Sequence, residues 1–203
     1  MELRPAATVM LLREAASRIE VFMLRRSSES AFLPDAYVFP GGALDDADGA
    51  NAERLRGIDE ARMHDDCTLD RRTQRALLAT AVREVFEECG VLFTDVRSLV
   101  LFSHWVTPES ETRRFNVHFF LARIPPGQHP VADARETHDG MWIAPEAALE
   151  RGDRGSLLLI YPTRKHLDRI ARFDKVERLL EFARAKPIVT VFAPIAASLE
   201  GAW

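Results

Sequence analysis

Residues 83–91, Arg-Glu-Val-Phe-Glu-Glu-Cys-Gly-Val, decide how the rest of this chain is interpreted. Three of them are glutamates at i, i+3 and i+4, so on a helix their carboxylates share one face: Glu84, Glu87 and Glu88. Apolar side chains occupy the other side and extend two turns upstream: Leu77, Leu78, Ala81, Val82, Val85, Phe86 and Cys89. This pattern predicts an amphipathic helix over Thr73–Cys89, with Gly90 as its C-terminal stop.

The carboxylate face of the predicted helix has two interpretations. Three negative charges within two turns repel one another, and they lie near a helix C-terminus, where the macrodipole disfavours anions. Such a face is either solvated or occupied by a divalent cation, because hard cations such as Mg²⁺ prefer oxygen ligands. A helix of this pattern, taken alone, favours the solvated face, so the rest of the chain decides between the two.

Composition limits the classes of function. The chain has 203 residues, of which 47% are hydrophobic and 29% charged, values typical of one globular domain. Its net charge of -4 provides no basic field for nucleic acid, and no apolar run approaches the length that spans a membrane. Cys67 and Cys89 are too few for a disulfide framework. Without an apolar leader or a Ser-Lys-Leu-type C-terminal address, we expect a cytoplasmic protein with no membrane partner.

Upstream of the helix, hydrophobic periodicity predicts strands and one insertion. Two runs rich in Val, Ile, Leu and Phe, Ala6–Leu12 and Ile19–Leu24, flank a polar stretch and predict a β-hairpin. A short strand at Tyr37–Phe39 enters the turn Pro40-Gly41-Gly42, whose glycines permit close approach of the backbone to a ligand. The segment Asp45–Arg72 is short of large apolar residues and is predicted to lie over the surface with one short helix. The apolar positions of that helix are Leu55, Ile58 and Met63.

Downstream of the helix, strands alternate with helices. Val91–Phe93 is a strand or a tight apolar segment. Further strands are predicted at Leu99–Trp105, Asn116–Ile124 and Met141–Ile143, and helices at Pro145–Leu149, Pro162–Arg172 and Lys175–Ala185. The apolar segment Ile188–Phe192 packs on the core or pairs with a partner subunit. The mixed order predicts an α/β/α sandwich of the α+β type on a mixed sheet, with a helical C-terminal extension from about residue 157.

The helix and its approach resemble the Nudix box. That box runs Gly, five residues, Glu, seven residues, Arg-Glu, an apolar residue, any residue, Glu-Glu, any residue, Gly and an apolar residue. Gly42, five residues and Asp48 resemble its first half, and residues 83–91 match every fixed position of its second half. Asp48 stands where the box has Glu. Between Asp48 and Arg83 there are 34 residues, whereas the box has seven, so the motif contains an insertion of 27 residues. The resemblance implies one Nudix-type domain over residues 1–203, with the insertion at about 49–72.

The interruption of the box is similar to the Nudix subgroup that hydrolyses coenzyme A and acyl-CoA, which carries a long insert at this place. The approach to the box, Phe32–Gly42, is similar to the same subgroup. Later segments that resemble it are Trp105–Pro108, Arg113–Phe115, His118–Phe120, Glu136–Trp142 and Pro145–Leu149.

Nudix enzymes hydrolyse nucleoside diphosphates linked to another moiety, through attack of water on a phosphorus. The resemblance implies that the three glutamates bind Mg²⁺ or Mn²⁺, with Glu84 either a ligand or the general base, and that Arg83 orients them. Asp48 takes the position of a Glu that usually supports the arginine. Glu136 resembles the additional acidic residue that many Nudix enzymes bring from the opposite side, against the alternative of a surface carboxylate. Three scattered histidines are expected to be structural: His104, His118 and His138.

Two observations predict the substrate class: arginines that could bind a phosphate, and the resemblance to the CoA-hydrolysing subgroup. A CoA ester carries a 3′-phosphate, which guanidinium forks suit, so four arginines and the two loop glycines are the candidate binding residues: Arg25, Arg26, Arg113, Arg114, Gly41 and Gly42. The products would be 3′,5′-ADP and (acyl-)4′-phosphopantetheine. One alternative is a Nudix pyrophosphatase for NADH, ADP-ribose or a related dinucleotide. Another is a non-catalytic nucleotide-sensing domain, which the intact glutamate trio disfavours. A homodimer is a candidate assembly, since Nudix proteins are often dimers.

Overall fold

The computed structural model describes residues 3–30, 33–58, 69–111, 113–134 and 137–192. Within these ranges the strands are β1 (Leu3–Ala15), β2 (Arg18–Arg26), β3 (Ala36–Val38), β4 (Gly41–Ala43), β5 (Val100–Val106), β6 (Arg114–Arg123), β7 (Thr137–Ile143), β8 (Leu158–Leu159) and β9 (Thr190–Phe192). The helices there are α1 (Asp46–Ala52), α2 (Arg71–Cys89), α3 (Pro145–Asp153), α4 (Tyr161–Ile170) and α5 (Val176–Ala185). A single 3₁₀ turn at Val96–Ser98 precedes β5.

These nine strands, all within the described ranges, form one mixed sheet. Its order is β8-β3-β2-β1-β6-β5-β9, with β4 paired to β1 and β7 paired to β2. β1 runs antiparallel to β2 and parallel to β6, which places the first strand of the chain at the centre of the sheet. The predicted hairpin and the mixed sheet are confirmed.

The sheet has a hydrophobic core on each face. Side chains of β1 alternate between the two: Val9 and Leu11 pack toward α2, whereas Met10 and Leu12 pack toward α3, α4 and α5. This alternation follows from the period of two residues in a strand. Helix α2, with α1 packed against it, covers one face, and α3, α4 and α5 cover the other, which makes the predicted α/β/α sandwich.

Helix α2 begins at Arg71, two residues before the predicted start, because the carboxylate of Asp70 caps it by accepting the N–H of Thr73 at 2.7 Å. Gly90 ends the helix in the left-handed conformation, as expected. The prediction that Phe86 belongs to the apolar stripe is wrong, since 54% of its surface is exposed. Phe86 lies one residue, about 100°, beyond the buried Val85, which turns its ring away from the sheet.

The Pro-Gly-Gly segment is more regular than predicted. Gly41–Ala43 continue past the predicted turn as strand β4, which pairs antiparallel with Ala6–Thr8 of β1. The N–H of Val9 donates to the carbonyl of Pro40 at 2.8 Å, which extends this pairing by one step. β4 therefore lies beside the central strand and not on a free loop.

The helix predicted in the insertion is misplaced. The structure places α1 at Asp46–Ala52, because Asp45 and Asp48 form a capping box that starts the helix earlier. Leu55 and Ile58 follow this helix and pack against the core under α2, and Met63 lies outside the described residues. The carbonyl of Arg56 accepts the N–H of Val96 at 2.9 Å, which attaches this part of the insertion to the body of the domain.

The C-terminal half follows the prediction with small shifts of boundaries. α3 extends to Asp153, four residues beyond the predicted Pro145–Leu149. The strand β8 was not predicted, because a segment of two residues shows no periodicity. Val91–Phe93 is a tight apolar segment that does not form a strand, and Val91 and Phe93 are buried. Part of the apolar segment Ile188–Phe192 forms β9, which pairs parallel with β5 of the same chain. None of the described helices combines the length and apolarity needed to cross a membrane.

Candidate functional site

Arg83 is the centre of a network that joins the two halves of the interrupted box. Its Nε and Nη2 donate to the two carboxylate oxygens of Asp48 at 3.0 and 2.9 Å. Its Nη1 donates to Glu84 at 2.8 Å and to Glu87 at 3.0 Å, and Nη2 also donates to the carbonyl of Ala43 at 3.2 Å. The guanidinium thereby binds α1, β4 and two carboxylates of α2 at once.

Asp48 is fully buried and its carboxylate is saturated with donors. Besides Arg83, it accepts the N–H of Asp45 at 3.0 Å and the hydroxyl of Thr80 at 2.8 Å. Burial raises the pKa of Asp48, but the hydrogen bonds from Arg83, Asp45 and Thr80 outweigh it and hold that pKa below its ordinary value. The hydrogen bond with Asp48 is also the main cause that raises the pKa of Arg83. The pair is therefore ionised at neutral pH.

The three glutamates of α2 occupy different environments. Glu88 is buried and accepts the N–H of Gly41 at 2.9 Å, which ties the helix to β4. The side chain of Glu84 packs on Gly42, where an added Cβ would lie 2.5 Å from the carboxylate carbon. Glu87 is 56% exposed and contacts Arg83 one turn away. Glu88 and Glu84 thus contact β4, the first through a hydrogen bond and the second through packing, whereas Glu87 is accessible to solvent.

The donor set fits a hard divalent cation, although the side chains are held by protein partners. Carboxylate oxygens are the ligands that Mg²⁺ and Mn²⁺ prefer. Among the described residues, no three acidic, imidazole or thiol groups converge into a ready-made metal cluster. Instead, Glu84 and Glu87 both bind Nη1 of Arg83. A divalent cation bound here would replace the Arg83 guanidinium as the partner of these two carboxylates.

The candidate substrate-binding arginines lie at the ends of strands, in contact with other groups. Arg25 donates to Asp35 at 2.7 Å, and this hydrogen bond is the main cause that raises its pKa. Arg26 donates to the hydroxyl of Ser30 at 2.8 Å. Arg114, preceded by Arg113, donates to the carbonyl of Thr107 at 3.2 Å. Their role toward a substrate stays a prediction.

Glu136 lies outside the described residues, but the loop that leads to it is attached to the end of α2. The N–H of Val131 donates to the carbonyl of Cys89 at 3.0 Å, and the N–H of Asp133 donates to that of Glu88 at 3.1 Å. Asp133 in turn accepts the hydroxyl of Thr137 at 3.2 Å. The chain approaching Glu136 therefore starts beside the glutamates.

Sequence reasoning missed three parts of this site. Thr80 and the N–H of Gly41 carry no motif signal, because a threonine within a helix and a glycine in a turn are common. The reach of Asp48 depends on α1, whose early start is visible only in the capping pair Asp45 and Asp48.

Two of the three histidines expected to be structural, and Cys89, are buried. His104 and His118 stack at 4.4 Å between ring centroids, and His104 also contacts Asn116 at 2.5 Å. Burial is the main cause that raises the pKa of the Cys89 thiol, so this cysteine is inert at neutral pH. Cys67 lies outside the described residues, and His138 is exposed on β7. The burial of His104 and His118 agrees with the structural role expected for them.

Curated relatives align with most of this chain at modest identity, whereas no family model matches it. A Caenorhabditis elegans protein that carries the name nudix hydrolase 7 is 25% identical over 205 residues, 83% of this chain and 61% of that protein. The acyl-coenzyme A diphosphatase NUDT19 of Gallus gallus is 25% identical over 274 residues, 89% of this chain and 71% of that protein. The alignment thus spans less than two thirds of the first relative.

Solved structures share the fold. The crystal structure of a NUDIX hydrolase from Alicyclobacillus acidocaldarius has a TM-score of 0.78 at 25% identity, and covers 96% of this chain and 99% of that one. The NUDIX domain of Shewanella oneidensis NrtR, in complex with ADP-ribose, has a TM-score of 0.55 at 17% identity, and covers 88% and 90%. At that identity the second similarity shows the fold alone. The sandwich, residues 83–91 and these similarities together show that this chain is similar to Nudix hydrolases in both sequence and fold.

Proposed function

We propose that this chain is a divalent-metal-dependent hydrolase that cleaves the pyrophosphate of a nucleoside diphosphate linked to another moiety, with CoA or acyl-CoA as its substrate class. The observation that carries the proposal is the closure of the interrupted box around Arg83, which binds Asp48, Glu84 and Glu87 simultaneously. A merely solvated acidic face would not need a buried carboxylate from another helix to hold its arginine. The acidic face of α2 therefore serves a pyrophosphate substrate.

The glutamates around Arg83 have two proposed roles, binding of the metal ion and transfer of a proton. Glu84, Glu87 and Glu88 would hold Mg²⁺ or Mn²⁺, which would screen the charge of the pyrophosphate and stabilise the charge developing in the transition state. Glu88 is fixed by the N–H of Gly41, so its position is set before substrate arrives. Glu84, enclosed beside Gly42, is the proposed acceptor of the proton of the attacking water in addition to its place in the metal site.

The proposed reaction is hydrolysis of the anhydride bond of CoA. The oxygen of water attacks one phosphorus, the bridging P–O bond breaks, and the proton of the water passes to a carboxylate. The products are 3′,5′-ADP and 4′-phosphopantetheine, or its acylated form. Two features support this substrate class: the insertion after Asp48, which resembles that subgroup, and the relative from Gallus gallus, which is named an acyl-coenzyme A diphosphatase.

The second candidate function is hydrolysis of ADP-ribose, NADH or a related dinucleotide by the same glutamates. The shared fold of the NrtR domain with bound ADP-ribose favours it as a ligand class. A nucleotide-sensing domain without turnover is the third reading. The same proposal includes four further features. They are a single domain over residues 1–203, a cytoplasmic location, a homodimer, and contacts of Arg25, Arg26, Arg113 and Arg114 with the substrate phosphates.

A substrate panel tests the proposal. The full chain is incubated with Mg²⁺ or Mn²⁺ and free CoA, acyl-CoAs, 3′-dephospho-CoA, NADH and ADP-ribose, and the products are identified by mass spectrometry in ¹⁸O-labelled water. We expect turnover of CoA or acyl-CoA, with the label in one phosphate of the products and a slower reaction without the 3′-phosphate. Faster turnover of ADP-ribose or NADH would select the second function. Turnover of none of them with metal present would leave only the sensor.

A further inference from the structure

On the face of the sheet opposite α2, two cationic side chains differ from the neighbouring arginines in their lack of an ion pair within the described part of the chain. Arg169 of α4 and Lys186 at the end of α5 form no ion pair with any carboxylate of the described residues. The other arginines of these two helices and the turn between them are all paired: Arg164 with Asp153, Arg172 with Asp168, Arg178 with Asp174 and Arg184 with Glu177. Phe182 joins the two exceptions, because its ring lies under Arg169 and its carbonyl accepts the N–H of Lys186 at 3.0 Å. Consistent with this, burial and then the charge of Arg169 lower the pKa of Lys186.

Aromatic rings take the place of carboxylates around these two cations. Nζ of Lys186 lies 4.9 Å from the ring centroid of the buried Phe102, and the guanidinium of Arg169 lies 5.9 Å from that of Phe182. A ring face attracts a cation but does not neutralise it. Lys186 is moreover half-buried, so its charge is only partly solvated. An anion bound between the two cations would relieve both their repulsion and the loss of hydration.

Two partly exposed rings border the same place. Trp105 and Tyr161 meet in a T-shaped contact at 5.9 Å between ring centroids. Trp105 and Phe102 both pack on the imidazole of His166, at 5.6 and 6.0 Å, so Trp105 and the ring that Lys186 covers contact the same buried imidazole. The Tyr161 ring also lies under Lys165, with Nζ 5.3 Å from the ring centroid. The exposed part of such rings can stack a planar base with little dependence on sequence.

The polar groups beneath these rings are already bonded and do not compete for a ligand. The hydroxyl of Ser103 accepts the indole N–H of Trp105 at 3.1 Å and contacts Nε2 of His166 at 2.5 Å. Nδ1 of His166 contacts the carbonyl of Pro162 at 2.5 Å. Burial lowers the pKa of His166 to about 4, so the imidazole is neutral and adds no third charge. The available positive charge is that of the surface side chains.

We propose that Lys186 and Arg169, together with the rings of Trp105 and Tyr161, form a second ligand site that takes the phosphate group of a nucleotide. The cations bind the phosphate and a ring stacks on the base. The site shares no side chain with the glutamates of α2 and lies on the other face of the sheet. It therefore binds its nucleotide without metal and without turnover.

Binding of AMP, adenosine and inorganic phosphate to the metal-free full-length chain tests this site. AMP binding is measured by calorimetry and by quenching of tryptophan fluorescence. The variant Trp105→Phe identifies which part of the fluorescence signal comes from Trp105. We expect AMP to bind more tightly than adenosine or phosphate alone. Lys186→Met and Arg169→Met should each weaken AMP binding by about tenfold or more, the loss typical of one charge-assisted contact.

Two control variants separate loss of the proposed site from general effects of charge removal and misfolding. Arg172→Met removes the same charge from the turn after α4, but its guanidinium is paired with Asp168, so AMP binding should not change. Lys186→Arg keeps the charge and should retain binding, which separates loss of the cation from loss of folding. Unchanged AMP affinity in both methionine variants, or no response of Trp105 at saturating AMP, would overturn the site. Equal affinity for phosphate and AMP would remove the stacking part of the proposal.

Discussion

Asp48 and Arg83, 35 positions apart in the chain, form a salt bridge in which two nitrogens meet two oxygens. The bridge reaches across the insertion and needs no longer side chain at position 48, because α1 packs against α2 and carries the carboxylate inward. The shorter Asp therefore performs the contact for which the box has Glu. Within the described residues the contact is complete by the end of α1, before the rest of the insertion follows in the chain.

Replacing Asp48 with Asn should destabilise the chain. The amide cannot accept from both nitrogens of Arg83 and from Thr80 as the carboxylate does, and one partner of a buried ion pair is left uncompensated. Breaking such a pair typically costs about 3 kcal/mol. Urea denaturation of Asp48→Asn should show a loss of this size. Asp46→Asn, an exposed acid in the same turn of α1, is the control and should change stability by less than about 0.5 kcal/mol. Equal stability of the two variants would contradict the role of the bridge.

Replacing Gly42 with Ala should reduce turnover much more than stability. The new Cβ would displace the flexible carboxylate of Glu84, and no backbone atom of the site would have to move first. We expect a melting temperature close to that of the parent and a strong loss of kcat. Gly49→Ala in α1 is the matched control, because an added Cβ there meets nothing within 4 Å. That control should keep full activity and gain up to about 1 kcal/mol of stability. Full activity of Gly42→Ala would show that the position of Glu84 is not critical.

Replacing Glu87 with Gln should nearly abolish turnover and leave the fold intact. Its side chain is 56% exposed, so the amide is tolerated, but a neutral oxygen is a poor ligand for a divalent cation. We expect a fall of at least about a hundredfold in kcat/KM, with unchanged circular dichroism. Glu146→Gln, on the other face of the sheet, removes the same charge and should retain activity. If Glu87→Gln keeps full activity, the assignment of Glu87 as a metal ligand is wrong.

His166 should make stability depend on pH in mildly acidic solution. Its pKa falls from the ordinary 6.5 to about 4 in the folded chain, mainly because of burial and to a smaller extent because of the charge of Lys186. Between these two values the unfolded chain binds a proton that the folded chain does not, so the free energy of unfolding decreases as pH falls. The full effect is at most about 3 kcal/mol. It should level off below pH about 4.

Urea denaturation across this pH window checks the contribution of His166. His166→Gln should show a shallower decline with falling pH than the parent chain. His138→Gln, an exposed histidine on β7, should decline as the parent does. A parent and a His166→Gln variant with parallel pH profiles would refute the burial of a neutral imidazole as the cause.

The sandwich could be predicted because its signals are local and repeated. The alternation in β1 and the stripe of α2 each extend over many residues, so a single misplaced side chain such as Phe86 does not change the outcome. β4 could not be predicted, because its glycines carry no periodicity and its pairing with Ala6–Thr8 depends on a distant strand. The glutamates were visible as a motif. The buried position of Asp48 was not, since it results from the packing of two helices that the insertion separates.

The parallel pairing of β1 with β6 has a consequence for synthesis of the chain. Residues Leu3 to Leu12 align with Arg114 to Arg123, so the central strand leaves the ribosome long before β6, one of the three strands with which it pairs, exists. Until Arg123 has emerged, one edge of β1 has no native partner, and an open strand edge pairs readily with other chains. Such long-range pairing is also slow to form. Translation through β5 is therefore the interval in which the nascent chain most depends on protection from aggregation.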